Sequence, residues 1–175
     1  MKNDLFMLTG AFFLLLSAPV FAAQGKAVIT GTSVDSKVSG VVDLTEQKDG
    51  LMVMVNVTGA PAGKHGIHFH ENGSCAEGGK AAGGHFNPDK VMHGFMPKDG
   101  PMNAHVGDMG NIDVGPDGTG MLHVVLPGVS LEQGKYAVNG KSVILHEKED
   151  DFSQPTGNAG ARIGCGIIEV EAAKQ

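Results

Sequence analysis

The sequence predicts an all-β fold, a sandwich or flattened barrel of about eight short strands with long connecting loops. Two observations carry this. From Lys26 onward, β-branched and apolar runs recur, each closed by Gly, Pro, Asn or Asp. Glycine occupies 27 of 175 positions, which suits a chain rich in turns and loops. The length fits one domain with a substantial core.

Taken in order, Lys26–Val34 reads as a first strand and Lys37–Gln47 as a second, which Asp49-Gly50 ends with a hairpin signal. In Leu51–Val57, the apolar set Leu51, Val53, Val55 and Val57 alternates with Met52, Met54 and Asn56, so one face is core. Gly59–Gly63 is a crossing loop. Around His68-Phe69-His70, alternation places Ile67 and Phe69 on the core face and the two imidazoles together on the outer face. Val106–Val114 resumes the β pattern, and Pro116-Asp117-Gly118 turns it into Gly120–Leu126. Lys135–Val138 is expected as a strand, followed by an Asn139-Gly140 turn, Ser142–His146 and a last strand at Gly166–Val170. No internal repeat or low-complexity segment interrupts the series.

The formal charge of −6 argues against nucleic-acid binding and would repel an anion at long range. Lys2, the apolar stretches Leu5–Met7 and Ala11–Leu16, and Ala18-Pro19-Val20-Phe21-Ala22 read as a signal peptide. Cleavage after Ala22 or Ala23 would remove residues 1–22 and leave one domain over 23–175. Gly10, Ser17 and Pro19 break the apolar run, which disfavours a membrane-spanning helix. The expectation is a soluble exported protein, periplasmic in a Gram-negative source and secreted otherwise, with no membrane attachment after cleavage. In such a compartment the two cysteines, Cys75 and Cys165, are expected to pair.

The chemistry concentrates in Gly63–Asp108, which holds six of the eight histidines. His68 and His70 share a strand face at a spacing one metal ion can use. His85, His93, His105 and Asp108 follow in a long segment dense in Gly, Pro, Asn and Asp, which needs something to hold it. Three imidazoles and a carboxylate form a tetrahedral set suited to zinc. His68, His70 and His146 with a fourth imidazole form an all-nitrogen set suited to Cu(II). Seven side chains fill two four-coordinate sites only if one is shared, and His85 is the natural bridge.

These residues lie within HGIHFH (His65–His70), GGHFNP (Gly83–Pro88), HVGDMGN (His105–Asn111), HEKEDD (His146–Asp151) and TGNAGARIGCG (Thr156–Gly166). In this order, over nearly the whole chain after the leader, they resemble the copper/zinc superoxide dismutase family in its bacterial exported form. The resemblance implies a Greek-key β fold with long metal-binding loops. It implies one copper held by His68, His70, His85 and His146, and one zinc held by His85, His93, His105 and Asp108. Asp150 would link His68 to His93, and Cys75 would bridge to Cys165. The implied reaction is dismutation of superoxide to O2 and hydrogen peroxide by copper redox cycling, with His85 as the imidazolate bridge and proton carrier, in antioxidant defence outside the cytoplasm. Arg162, the sole arginine, matches the position of the family's anion-guiding arginine; Lys148 is a weaker candidate for the same work.

His65 is expected to be a hydrogen-bonded structural residue and His123 a surface one. Met92, Met96, Met102 and Met109 crowd the metal loop, as gap fillers or as soft copper-capturing donors. Ile67 replaces the Phe usual in the first motif, and Gly164 the Ala that commonly precedes the second cysteine. The family's branches differ in their dimer interface, so a homodimer is one open reading. Two other functions compete: a copper-handling protein without turnover, which a missing ligand or arginine would favour, and an interaction module with an incidental zinc, which has no need of His146 or Arg162.

Overall fold

The computed structural model describes residues 22–171, so the expected signal peptide lies, apart from Ala22, outside the described residues. Eight strands close into an antiparallel barrel. They are β1 (Gln24–Gly31), β2 (Ser39–Gln47), β3 (Gly50–Thr58), β4 (Gly63–His70), β5 (Asp108–Val114), β6 (Gly120–Pro127), β7 (Ser142–His146) and β8 (Arg162–Ile167). The spatial order is β2-β3-β6-β5-β4-β7-β8-β1, and β1 pairs back onto β2. A two-residue β9 (Glu169–Val170) extends β1. In β6-β5-β4-β7, three consecutive strands are joined by a fourth that arrives over the long connection of residues 128–141, the Greek-key pattern expected.

Alternation builds the core. Leu51, Val53, Val55 and Val57 of β3 are buried, as are Val42 and Leu44 of β2 and Ile67 and Phe69 of β4. The intervening residues of β3, Met52, Met54 and Asn56, face outward and are half-buried.

Three expectations change in detail. Lys135–Val138 forms turns with a single bridge, Ser130 to Ala137, and no strand. Tyr136 instead turns its hydroxyl to the Asp89 carboxylate, 2.6 Å away, and Val138 plugs the core. The last strand begins four residues earlier than expected, at Arg162, because glycines masked its β signal. Those glycines are where neighbours press close: a Cβ on Gly166 would lie 2.6 Å from the Val28 carbonyl oxygen, and one on Gly164 2.8 Å from the Ile29 side chain. Finally, the outer face carrying His68 and His70 is not exposed. Both side chains are buried because the loop between β4 and β5 folds over them. Phe69 N–H donates to Gly107 O at 3.0 Å and Phe86 N–H to Phe69 O at 2.8 Å, stitching loop to strand.

Candidate metal centre

Two bulged strands set the first cluster. β4 pairs with β5 through Gly66, then shifts register so that His68 meets Asp108, and its other edge pairs with β7 from Ile67 to His70. β7 shifts in turn at Leu145–His146, placing His146 opposite Arg162 of β8. Bulges re-aim side chains next to functional sites. Here they bring His68, His70 and His146 together under the loop, and His85 enters from that loop through a bridge to His70. Ring centroids lie 4.1 Å apart for His68–His85, 5.0 Å for His70–His85 and 5.5 Å for His70–His146.

The second cluster surrounds Asp108, the first residue of β5. Its carboxylate oxygens lie 2.8 Å from His85 Nδ1, 2.7 Å from His93 Nδ1 and 3.2 Å from His105 Nδ1. Potential ligand atoms of His68, His70, His85 and His146 all lie within 4.8 Å of one another, and so do those of His85, His93, His105 and Asp108. His85 is common to both groups. All seven side chains are buried.

The donor atoms fit metal ions. A ligating imidazole fixes its orientation by donating its other N–H to a carboxylate or carbonyl. His70 Nδ1 donates to Gly83 O at 3.0 Å and His146 Nδ1 to Gly160 O at 3.3 Å, which leaves both Nε2 atoms facing the cluster. His68 Nε2 and His93 Nε2 each donate to Asp150, at 2.9 and 2.8 Å. That leaves His68 Nδ1 buried without a hydrogen-bond partner, while the buried His93 Nδ1 and His105 Nδ1 lie near the Asp108 carboxylate without a well-aligned hydrogen bond to it. Buried polar atoms without partners are costly unless something else satisfies them. These three point at the two clusters.

Electrostatics favours the same use. Burial pushes His70 down to about 2, His146 to about 3 and His85 to about 4, with neighbouring imidazoles adding to the effect on each. Neutral imidazoles hold free lone pairs at neutral pH, as metal binding requires. Burial also lowers His93, but Asp108 and Asp150 outweigh it and raise the group to about 9. Burial raises the Asp108 and Asp150 carboxyls, but their histidine partners pull both well below the usual range.

The expected link through Asp150 is present between His68 and His93. The sequence reading missed what holds the link. Asn111 of β5 clamps the Asp150 backbone from both sides, accepting from its N–H at 2.7 Å and donating to its carbonyl at 2.8 Å. Gln154 does the same for His93, at 3.0 and 2.8 Å. Asn111 stands inside the HVGDMGN run, but nothing in either amide's spacing marks the distant backbone it clamps. Gly157 completes the seat at φ +71°, where a Cβ would stand 1.8 Å from Asp150 Oδ1 and 2.7 Å from His93 Nε2. Gly157→Ala is therefore expected to displace Asp150 and to weaken zinc binding by about 10–100-fold, measured by competition with a zinc chelator. An unchanged affinity would remove Asp150 from the zinc argument.

Cys75 and Cys165 form a disulfide with Cα atoms 5.7 Å apart. The bridge fixes the loop after β4 to β8. Arg162 fastens the same loop: its half-buried guanidinium donates to the carbonyls of Gly79 and Gly83. Gly83 O therefore receives both Arg162 and His70. Lys148 is exposed, and only its backbone makes contacts, to Gly66 and Ala159. His65 is buried, with its ring nitrogens 2.9 Å from His146 O and 2.8 Å from Pro61 O, the structural role expected. Of the loop methionines, Met96 and Met109 are core residues, while Met92 and Met102 are exposed.

Comparison with known proteins places this geometry. Residues 38–168 match the family model described as copper/zinc superoxide dismutase. The chain is 40% identical over 142 residues to the extracellular superoxide dismutase [Cu-Zn] of Caenorhabditis elegans, covering 77% of this chain and 62% of that protein. It therefore spans less than two thirds of that relative's length. It is 39% identical over 150 residues to superoxide dismutase [Cu-Zn] 5 of Dictyostelium discoideum, covering 81% of this chain and 93% of that protein. The crystal structure of the clock protein EA4 superposes with a TM-score of 0.76 at 33% identity, over 90% of this chain and all of that one.

Proposed function

Since the chain belongs to the copper/zinc superoxide dismutase family, whose cofactors are copper and zinc, we propose that it dismutates superoxide to O2 and hydrogen peroxide in antioxidant defence outside the cytoplasm. The observation that carries this reading is the shared residue: His85 belongs to both buried ligand groups, so the two sites are joined through one imidazole. In the proposed assignment His68, His70, His85 and His146 hold copper, and His85, His93, His105 and Asp108 hold zinc. Bound there, copper supplies reversible one-electron exchange and zinc a fixed positive charge.

The chain's own residues do the rest. Asp108 and the zinc-side imidazoles hold the His85 ring by its Nδ1 edge. Its Nε2 faces the other cluster, where it can take up a proton and return it to reduced substrate. Asp150, seated by Asn111 and Gly157, keeps His68 and His93 in the tautomers that present Nδ1. The protein carries a net charge of −6, so a small anion needs local positive charge to reach the site. Arg162, fixed opposite His146 by two loop carbonyls, supplies it. Arg162→Gln is expected to lower the rate by about tenfold or more and to flatten its dependence on ionic strength. A variant with wild-type rate and salt response would end the steering role.

Export is part of the proposal. The leader-like segment over 1–22, the disulfide and the extracellular naming of two relatives support a chain cleaved to 23–175 and working outside the cytoplasm. The periplasm is the place if the source is Gram-negative. The test is metal content and superoxide consumption on one preparation of the oxidised protein lacking residues 1–22. One copper and one zinc per chain with rapid, cyanide-sensitive consumption is expected. Both metals without turnover would overturn the dismutase reading in favour of copper handling.

A further inference from the structure

We propose that the outer face of the β3–β6 strand pair carries a surface site for the cuprous ion, with Met54, Met121 and His123 as donors and Met52 as a fourth. None of these residues belongs to the two buried clusters. The face is fixed by register. Met54 lies directly opposite His123, and Asn56 opposite Met121. The alternate residues Leu51, Val53, Val55 and Leu126 are fully buried in the core. Met52, Met54, Met121 and His123 therefore all point out of the barrel. Directly opposed residues have Cβ atoms about 4.5–5.5 Å apart and diagonal ones about 7–8 Å. Met121 is thus diagonal to Met54 and Met52 diagonal to His123 on the other side, and a thioether on three rotatable bonds spans each of these gaps. Met121 is 66% exposed, His123 is exposed, and Met52 and Met54 are half-buried. The Met52 sulfur accepts a hydrogen bond from the Gln47 amide at 3.2 Å, so it joins by exchanging that contact.

The donor chemistry selects the ion. Thioethers are soft, and several of them with one imidazole suit Cu(I) over zinc or calcium, which prefer thiolate, imidazole or oxygen. The surroundings favour a cation. Asp43 lies opposite Met54 on β2, and Asp113 opposite Met121 on β5. Lys26, 3.7 Å from Asp43, offsets part of this charge. The distribution of methionine is also uneven. Among the described residues, those not fully buried divide between the loop, with Met92 and Met102, and this one face, with Met52, Met54 and Met121 around His123.

The test titrates the protein, already loaded with copper and zinc, with Cu(I) under anaerobic conditions against a chromophoric Cu(I) chelator. One further Cu(I) per chain is expected. Met54→Leu/Met121→Leu/His123→Ala should weaken it by at least about tenfold. Leucine conserves methionine's volume and the residues face solvent, so fold and superoxide consumption should be unchanged. Met92→Leu/Met102→Leu should retain the extra Cu(I). No additional Cu(I), retention in the triple variant, or loss in the loop variant would each overturn the site.

Discussion

In the His146→Ala protein, superoxide consumption is expected to fall by at least about a hundredfold while one zinc per chain remains bound. The asymmetry comes from where the side chain stands. His146 ends β7, and its Nε2 lies 3.3 Å from His70 Nε2 in the first cluster. It is absent from the group around Asp108. Its removal leaves His85, His93, His105 and Asp108 in place, together with the Asp150 link that orients His93. The fold should tolerate the change, because the contacts that hold the strand there are made by backbone. His146 O still accepts from His65, and β7 still pairs with β4 and β8. Metal analysis and activity on the same sample give the result. Activity near wild type would show that His146 is not a copper ligand, and loss of zinc would show that the two groups are not separable.

Replacing both cysteines by serine should lower the melting temperature by about 8–20 °C. The bridge closes a separation of 90 residues. On the chain-entropy account that is about 4–5 kcal/mol, and each kcal/mol is about 2–4 °C in a chain of this size. The effect should reach the site as well. The loop that the bridge anchors supplies Gly83 O, which orients His70 and holds Arg162. Copper affinity should fall with stability, while zinc affinity, set on the far side of His85, should fall less. Calorimetry and metal competition check both parts. An unchanged melting temperature would mean that hydrogen bonds alone hold the loop.

The strands with strict alternation, such as Leu51–Val57, were legible because burial on one face imposes a period of two. The segment at Lys135–Val138 was misjudged because its local β preference yields to a tertiary contact, Tyr136 with Asp89, and to the turns around it. Arg162–Cys165 was missed as strand because Gly164, packed tightly against the Ile29 and Val38 side chains, weakens the very signal that marks a strand. The seven proposed ligands were legible as two donor sets from residue type and spacing, and Asp150 only through the family resemblance. The burial of His68 and His70 was not, because the covering loop is fixed by backbone contacts that leave no mark on side-chain pattern. Asn111 and Gln154 escaped for a related reason: a single amide that clamps a distant backbone resembles any other polar residue.

The closure of the barrel is uneven. β3 and β6 share eight register pairs, while β5 and β6 share only Asp113↔Met121 and Val114↔Gly120. β5 starts at Asp108, so the metal group and this thin seam hold the same strand. A chain stripped of zinc should open there first, and its β5 and β6 amides should exchange hydrogen faster than those of β2 and β3. Opening would present two unpaired strand edges to other copies of the chain, a template for aggregation that the closed barrel otherwise lacks. Zinc would then act as a latch against self-association, and its loss would threaten solubility before it threatened the core.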